Sequence, residues 1–110
     1  MVLYTILEEG LAILLYSEKY LDPITSDIKE TKIWKVEKSK EFTHGIKYRL
    51  VYIHKNKRII GYDNERAKGD HKHYGSKEIK YEFIDLNKLM EDFEKDVKKL
   101  RRTLYGSKEN

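Results

Sequence analysis

Near the C-terminus, Leu86, Leu89, Met90, Phe93, Val97, Leu100 and Leu104 recur at three- and four-residue intervals. An α-helix brings those positions onto one apolar stripe, and such a stripe needs a second apolar surface to cover it. Asp85 is placed to cap the helix start and Gly106 to stop it. Glu91/Lys95 and Glu94/Lys98 stand four apart in the favourable order, and basic residues gather in the final turns, where the helix dipole favours them. The rest of the chain has to supply the matching face.

The middle of the chain reads as an antiparallel sheet that does so. From Ile46 to Ile53, Ile46, Tyr48, Leu50 and Tyr52 fall on one side, and Lys47, Arg49, Val51 and Ile53 on the other. Lys55-Asn56 forms a tight hairpin, and Lys57 to Asp63 returns. Thr31 to Lys38 alternates around Ile33, Trp34 and Val36. A loop with glycines at 69 and 75 leads into a last strand, Ile79 to Ile84. Between Val2 and Leu15 the pattern suits a helix interrupted at Gly10 or a strand; helix is expected for the first half, and a strand for Ala12 to Tyr20. The expected class is α+β: four to six antiparallel strands with a long C-terminal amphipathic helix on one face.

With 110 residues and 39% hydrophobic content, residues 1–110 fit one domain around one core. Charged residues make up 38%, but the signs are interspersed and the net charge is only +4. This permits a polyanionic partner without requiring one. The absence of cysteine excludes disulfides, thiolate metal sites and cysteine nucleophiles. No apolar run reaches membrane-spanning length, and Glu8 and Glu9 precede the apolar residues 11–16 where a secretory signal would be basic. A cytoplasmic location with no membrane partner is expected.

Chemistry concentrates between Gly61 and Tyr74. Those fourteen residues hold two histidines, three carboxylates, an asparagine, three cationic side chains and two glycines. On extended backbone, His71 and His73 at i and i+2 point to one side, about 6–7 Å apart. Three readings follow. The pair can act as general base and general acid, since imidazole titrates near neutrality. It can bind a metal with a third donor from Asp63, Glu65 or Asp70. Or the histidines make structural hydrogen bonds. Lys68, Arg66 and Lys72 are candidates to neutralise a phosphate, Lys68 foremost because Gly69 beside it lets a ligand approach the backbone; a solvated charged loop is the plain alternative. Arg49 is a further phosphate candidate or a cross-strand ion pair. Asp63 can orient a histidine or belong to an Asp-Asn turn. Tyr62 and Tyr74 flank the segment and can stack on bases, or simply pack. His44 and His54 fall in turns and carry no assigned role.

The runs Lys47-Tyr48-Arg49-Leu50, Tyr62-Asp63-Asn64-Glu65, Lys68-Gly69-Asp70-His71-Lys72-His73 and Tyr81-Glu82-Phe83, with Asp92-Phe93 and Asp96-Val97 on the helix, resemble the TumE-like family of toxin–antitoxin toxins. Ile33-Trp34-Lys35-Val36 looks like the family's tryptophan strand. The resemblance covers about residues 14–101; Ala67 stands where glycine is expected, and the first thirteen residues have no counterpart.

The resemblance implies a small toxin encoded beside a helix-turn-helix antitoxin and acting on RNA or translation. Joined to the histidine pair, it gives the leading expectation of a metal-independent endoribonuclease with His71, His73, Lys68 and Asp63 catalytic, and Arg49, Arg66, Lys72, Tyr62 and Tyr74 holding RNA. No cofactor and no metal is assigned, and homo-oligomer formation is left open. A non-enzymatic module that binds nucleic acid or protein, and a metal-dependent nuclease or phosphotransfer enzyme, are the alternatives.

Overall fold

In the computed structural model, which describes residues 4–7, 10–65 and 69–106, the strand with the clearest alternation lies at the centre of one sheet. Strands β1 (Tyr4–Leu7), β2 (Gly10–Leu21), β3 (Ile28–Lys35), β4 (Ile46–His54), β5 (Lys57–Asp63), β6 (His71–Tyr74) and β7 (Lys77–Lys80) follow in that spatial order. Every neighbouring pair is antiparallel. The turn between β4 and β5 works because Lys55 and Asn56 take φ of 50° and 63°, the left-handed pair that matches strand twist in a two-residue hairpin.

Helix α1 (Leu86–Tyr105) covers one face. The Asp85 carboxylate accepts from the Lys88 amide at 2.8 Å, and the Gly106 amide donates to the Arg102 carbonyl at 2.8 Å with φ 92°. Its stripe of Leu89, Phe93, Val97 and Leu100 meets Tyr48, Leu50 and Tyr52 of β4, Ile60 and Tyr62 of β5, and Ile33 of β3. All ten are buried. The tyrosines close the core without stranding a polar atom, because each hydroxyl reaches a carboxylate: Tyr48 to Asp70, Tyr52 to Asp27 and Tyr62 to Asp96. Burial, then the acceptor carboxylate, pushes all three hydroxyls far above the usual phenol range, so they remain donors. Among the described residues no helix is long and apolar enough to cross a membrane.

The expected α+β arrangement is found, with residues 10–80 contributing six strands. The helix expected before Gly10 is not: residues 4–7 form β1, which pairs from Tyr4↔Ile13 to Leu7↔Gly10. Gly10 at φ 110° holds a conformation foreign to a helix interior. The tryptophan strand begins and ends three residues earlier than expected, because its register with β4 runs from Ile28↔Ile53 to Lys35↔Ile46. The strand expected at Ile79–Ile84 is also shifted. Residues His71–Tyr74 are themselves a strand, Gly75-Ser76 is the turn, and Lys77–Lys80 pairs back. From Tyr81 the chain leaves the sheet, and Tyr81 and Phe83 pack against the core.

Candidate functional site

Register decides what β5, β6 and β7 bring together. Asp63 pairs with His71, His71 with Lys80, Gly61 with His73 and His73 with Glu78. Between these positions, Tyr62 and Lys72 both reach Asp96 on α1. By strand alternation, Asp63, His71, His73 and Glu78 therefore stand on the face opposite the helix.

There the four side chains converge. His71 Nε2 lies 2.8 Å from Asp63 Oδ1 and 3.4 Å from Glu78 Oε1. His73 Nε2 lies 3.8 Å from both Asp63 Oδ2 and Glu78 Oε1. The two rings meet edge to face, centroids 4.9 Å apart. His71 Nδ1 is 2.9 Å from the Gly69 carbonyl oxygen, which only accepts, so Nδ1 carries the hydrogen. The His71 and His73 side chains are 8% and 14% exposed and Glu78 is 45% exposed, so the cluster opens to solvent on the Glu78 side. Burial, and then the positive charge of Arg58, hold His73 below the ordinary imidazole range against the opposing pull of Asp63, so it is neutral near pH 7. Arg58 lies across Gly61, where an added Cβ would come within 3.0 Å of its Cδ. Asn64 pins the end of β5 by accepting from the Tyr48 amide at 3.0 Å and donating to the Ile46 carbonyl at 2.7 Å.

Cations border the cluster. One row across the sheet reads Lys32, Arg49, Asp63, His71, Lys80. Arg49 Nη1 lies 3.4 Å from Glu30 Oε1, an exposed cross-strand pair.

Of the residues singled out in the sequence, Asp63, His71 and His73 come together and Arg49 stands beside them. Lys72 lies on the helix face, with Nζ 3.7 Å from Asp96 and above the Tyr62 ring. Tyr62 is in the core, and Tyr74, paired with Ile60, is also on the helix side, half-exposed. Arg66 and Lys68 lie outside the described residues. Asp70, a candidate third metal donor, is engaged by the Tyr48 hydroxyl at 2.7 Å and His44 Nε2 at 3.1 Å. His54 Nδ1 lies 2.8 Å from Asp27.

Glu78, Arg58 and Lys80 went unread in the sequence. The available signal was the Gly75-Ser76 pair: a two-residue turn there places residue 78 opposite residue 73.

The geometry differs from two imidazoles flanking a gap. Both Nε2 atoms point at the same pair of carboxylates, and both nitrogens of His71 are engaged. Comparison with known proteins gives one result of weight. The family model described as Toxin TumE matches residues 9–101. No curated protein and no solved structure matches the chain.

Proposed function

The chain belongs to the TumE toxin family, and from that premise we propose that it is a toxin–antitoxin toxin that cuts RNA at the Asp63–His71–His73–Glu78 cluster. One observation carries the proposal: in a toxin-family chain, two imidazoles and two carboxylates gather on the helix-free sheet face inside a border of cations. A phosphodiester needs such a combination, because it brings negative charge to a site that must also accept a proton.

In the reaction, the RNA 2′-oxygen bonds to phosphorus and the P–O5′ bond breaks. Glu78, the exposed member at the mouth, takes the 2′-hydroxyl proton, and water returns one to the departing 5′-oxygen. Lys32, Arg49 and Lys80 hold phosphates along the row. His71 and His73 act as holding groups, because their Nε2 atoms converge on the carboxylates. The family membership implies an antitoxin as partner; a helix-turn-helix antitoxin encoded beside this chain belongs to the proposal.

The test is cleavage of single-stranded RNA by the purified chain. The expected products end in 2′,3′-cyclic phosphate, and RNA carrying deoxyribose at the cut position resists. Asp63→Asn and Glu78→Gln should each abolish cleavage in folded protein, and toxicity without antitoxin should fall with it. A folded wild-type chain that arrests growth yet leaves RNA intact would overturn the proposal.

A further inference from the structure

The hydrogen on His71 Nδ1 fixes the state of the other ring nitrogen. Nδ1 donates to the Gly69 carbonyl, so in the neutral ring Nε2 carries a lone pair. That lone pair faces Asp63 Oδ1 at 2.8 Å. Two lone pairs at that distance repel unless a positive centre lies between them. His73 Nε2 points to the other oxygen of the same carboxylate, and Glu78 Oε1 approaches both rings.

We propose that Asp63, His71 and His73 bind a divalent first-row transition ion, with its open position facing Glu78. The ligating atoms of the three residues lie within 4.8 Å of one another. Bonds of about 2.0 Å at tetrahedral angles separate neighbouring ligands by roughly 3.3 Å, and the His71–Asp63 and His73–Asp63 separations of 2.8 and 3.8 Å, each to its own carboxylate oxygen, lie on either side of that value. Two imidazoles suit Zn²⁺ above all, Mn²⁺ being more tolerant of oxygen ligands, whereas Mg²⁺ and Ca²⁺ take oxygen ligands. The Gly69 carbonyl completes the arrangement. A ligating imidazole is usually oriented by a hydrogen bond from its other nitrogen, as here. A proton on His71 Nε2 would answer the Asp63 contact alone, whereas an ion at the convergence point answers all three ligands.

The ion's role in RNA cleavage rests on the proposed function; its binding does not. When bound, it offers positive charge to a phosphate oxygen beside Glu78.

The experiment uses the untagged full-length chain, stripped with chelator and dialysed, and titrated with Zn²⁺ and separately Mn²⁺ by calorimetry. Melting is followed in parallel. The expected result is one equivalent bound and a raised Tm. Asp63→Asn should weaken binding by at least the roughly 10- to 100-fold that loss of a supporting outer partner costs, and His54→Ala, whose ring lies against Asp27 and not in the cluster, should leave it unchanged. Should Asp63→Asn unfold, His73→Gln provides the same comparison. Absence of one-to-one binding by folded wild type, or binding unaffected by both site variants, overturns the site. Ion binding without RNA cleavage sustains the site and overturns the RNA proposal. Full cleavage by stripped protein in chelator sustains the RNA proposal and overturns the ion's role in cleavage, leaving the site itself to the titration.

Discussion

At the residue scale, Asp27 shows how a buried charge is kept. It is 2% exposed, yet its carboxylate accepts from the hydroxyls of Tyr52 and Tyr105 at 2.7 and 2.6 Å and stands 2.8 Å from His54 Nδ1. Burial pushes the carboxyl upward, but those hydrogen bonds outweigh it and hold it below its ordinary value. The sign follows directly. A carboxylate depressed in the folded chain adds stability above its unfolded value, and that stability is lost as pH falls through the folded one. Asp22 shifts the same way, chiefly through the amides of Ile24 and Thr25. The Tm of wild type should therefore drop steeply below about pH 4. Asp27→Asn should melt below wild type at pH 7, with the gap narrowing towards pH 3. A constant gap across that range would place the stabilisation in shape and not in charge. Such a node was illegible in the sequence, since Asp27, His54 and Tyr105 are brought together only by the sheet register and the end of α1.

Elements differ in how locally they are specified. Helix α1 depends on its own stripe, its Asp85 cap and its Gly106 stop, all within one segment, and so it was legible to within a residue. The β4–β5 hairpin was equally legible, because Lys55-Asn56 supplies its own left-handed turn. Strand β6 was not. His71-Lys72-His73-Tyr74 has no apolar alternation, because one side faces the polar cluster and the other carries Lys72 to Asp96. Its pairing follows from β5 and β7, and without that pairing Glu78 was invisible. The legible element also yields a firm number. Phe93 of α1 is fully buried against the sheet, edge-on to Tyr62 with centroids 5.9 Å apart. Phe93→Ala should cost about 3–5 kcal/mol, against a typical domain stability of roughly 5–15 kcal/mol. At about 4 °C per kcal/mol or more, Tm should fall by about 12 °C or more. Unchanged melting would mean that the stripe is not what anchors the helix.

For the whole molecule, the question is which side meets RNA, because cations occupy both. Lys32, Arg49 and Lys80 lie in one row with Asp63 and His71 on the helix-free face. On the opposite side, Lys95, Lys99 and Arg102 of α1 line a groove with Tyr20 near the end of β2 and Ile24 in the turn after it. With 23 basic against 19 acidic residues, net charge cannot choose between them. Salt dependence can. Each phosphate neutralised on single-stranded RNA contributes about −0.7 to the slope of log affinity against log salt. If RNA lies across the cluster face, removing two cations there with Lys32→Ala and Lys80→Ala should make the slope shallower by about 1.4. Lys95→Ala with Lys99→Ala should leave the slope and the cleavage rate as in wild type, because those side chains face away from the cluster. Equilibrium binding is measured with Glu78→Gln protein, so that the RNA survives the titration. The reverse pattern, with the helix pair shifting the slope and the sheet pair silent, would put RNA in the α1–β2 groove. Asp63, His71, His73 and Glu78 would then be out of reach of the phosphate, and the proposed cleavage centre would fail with them.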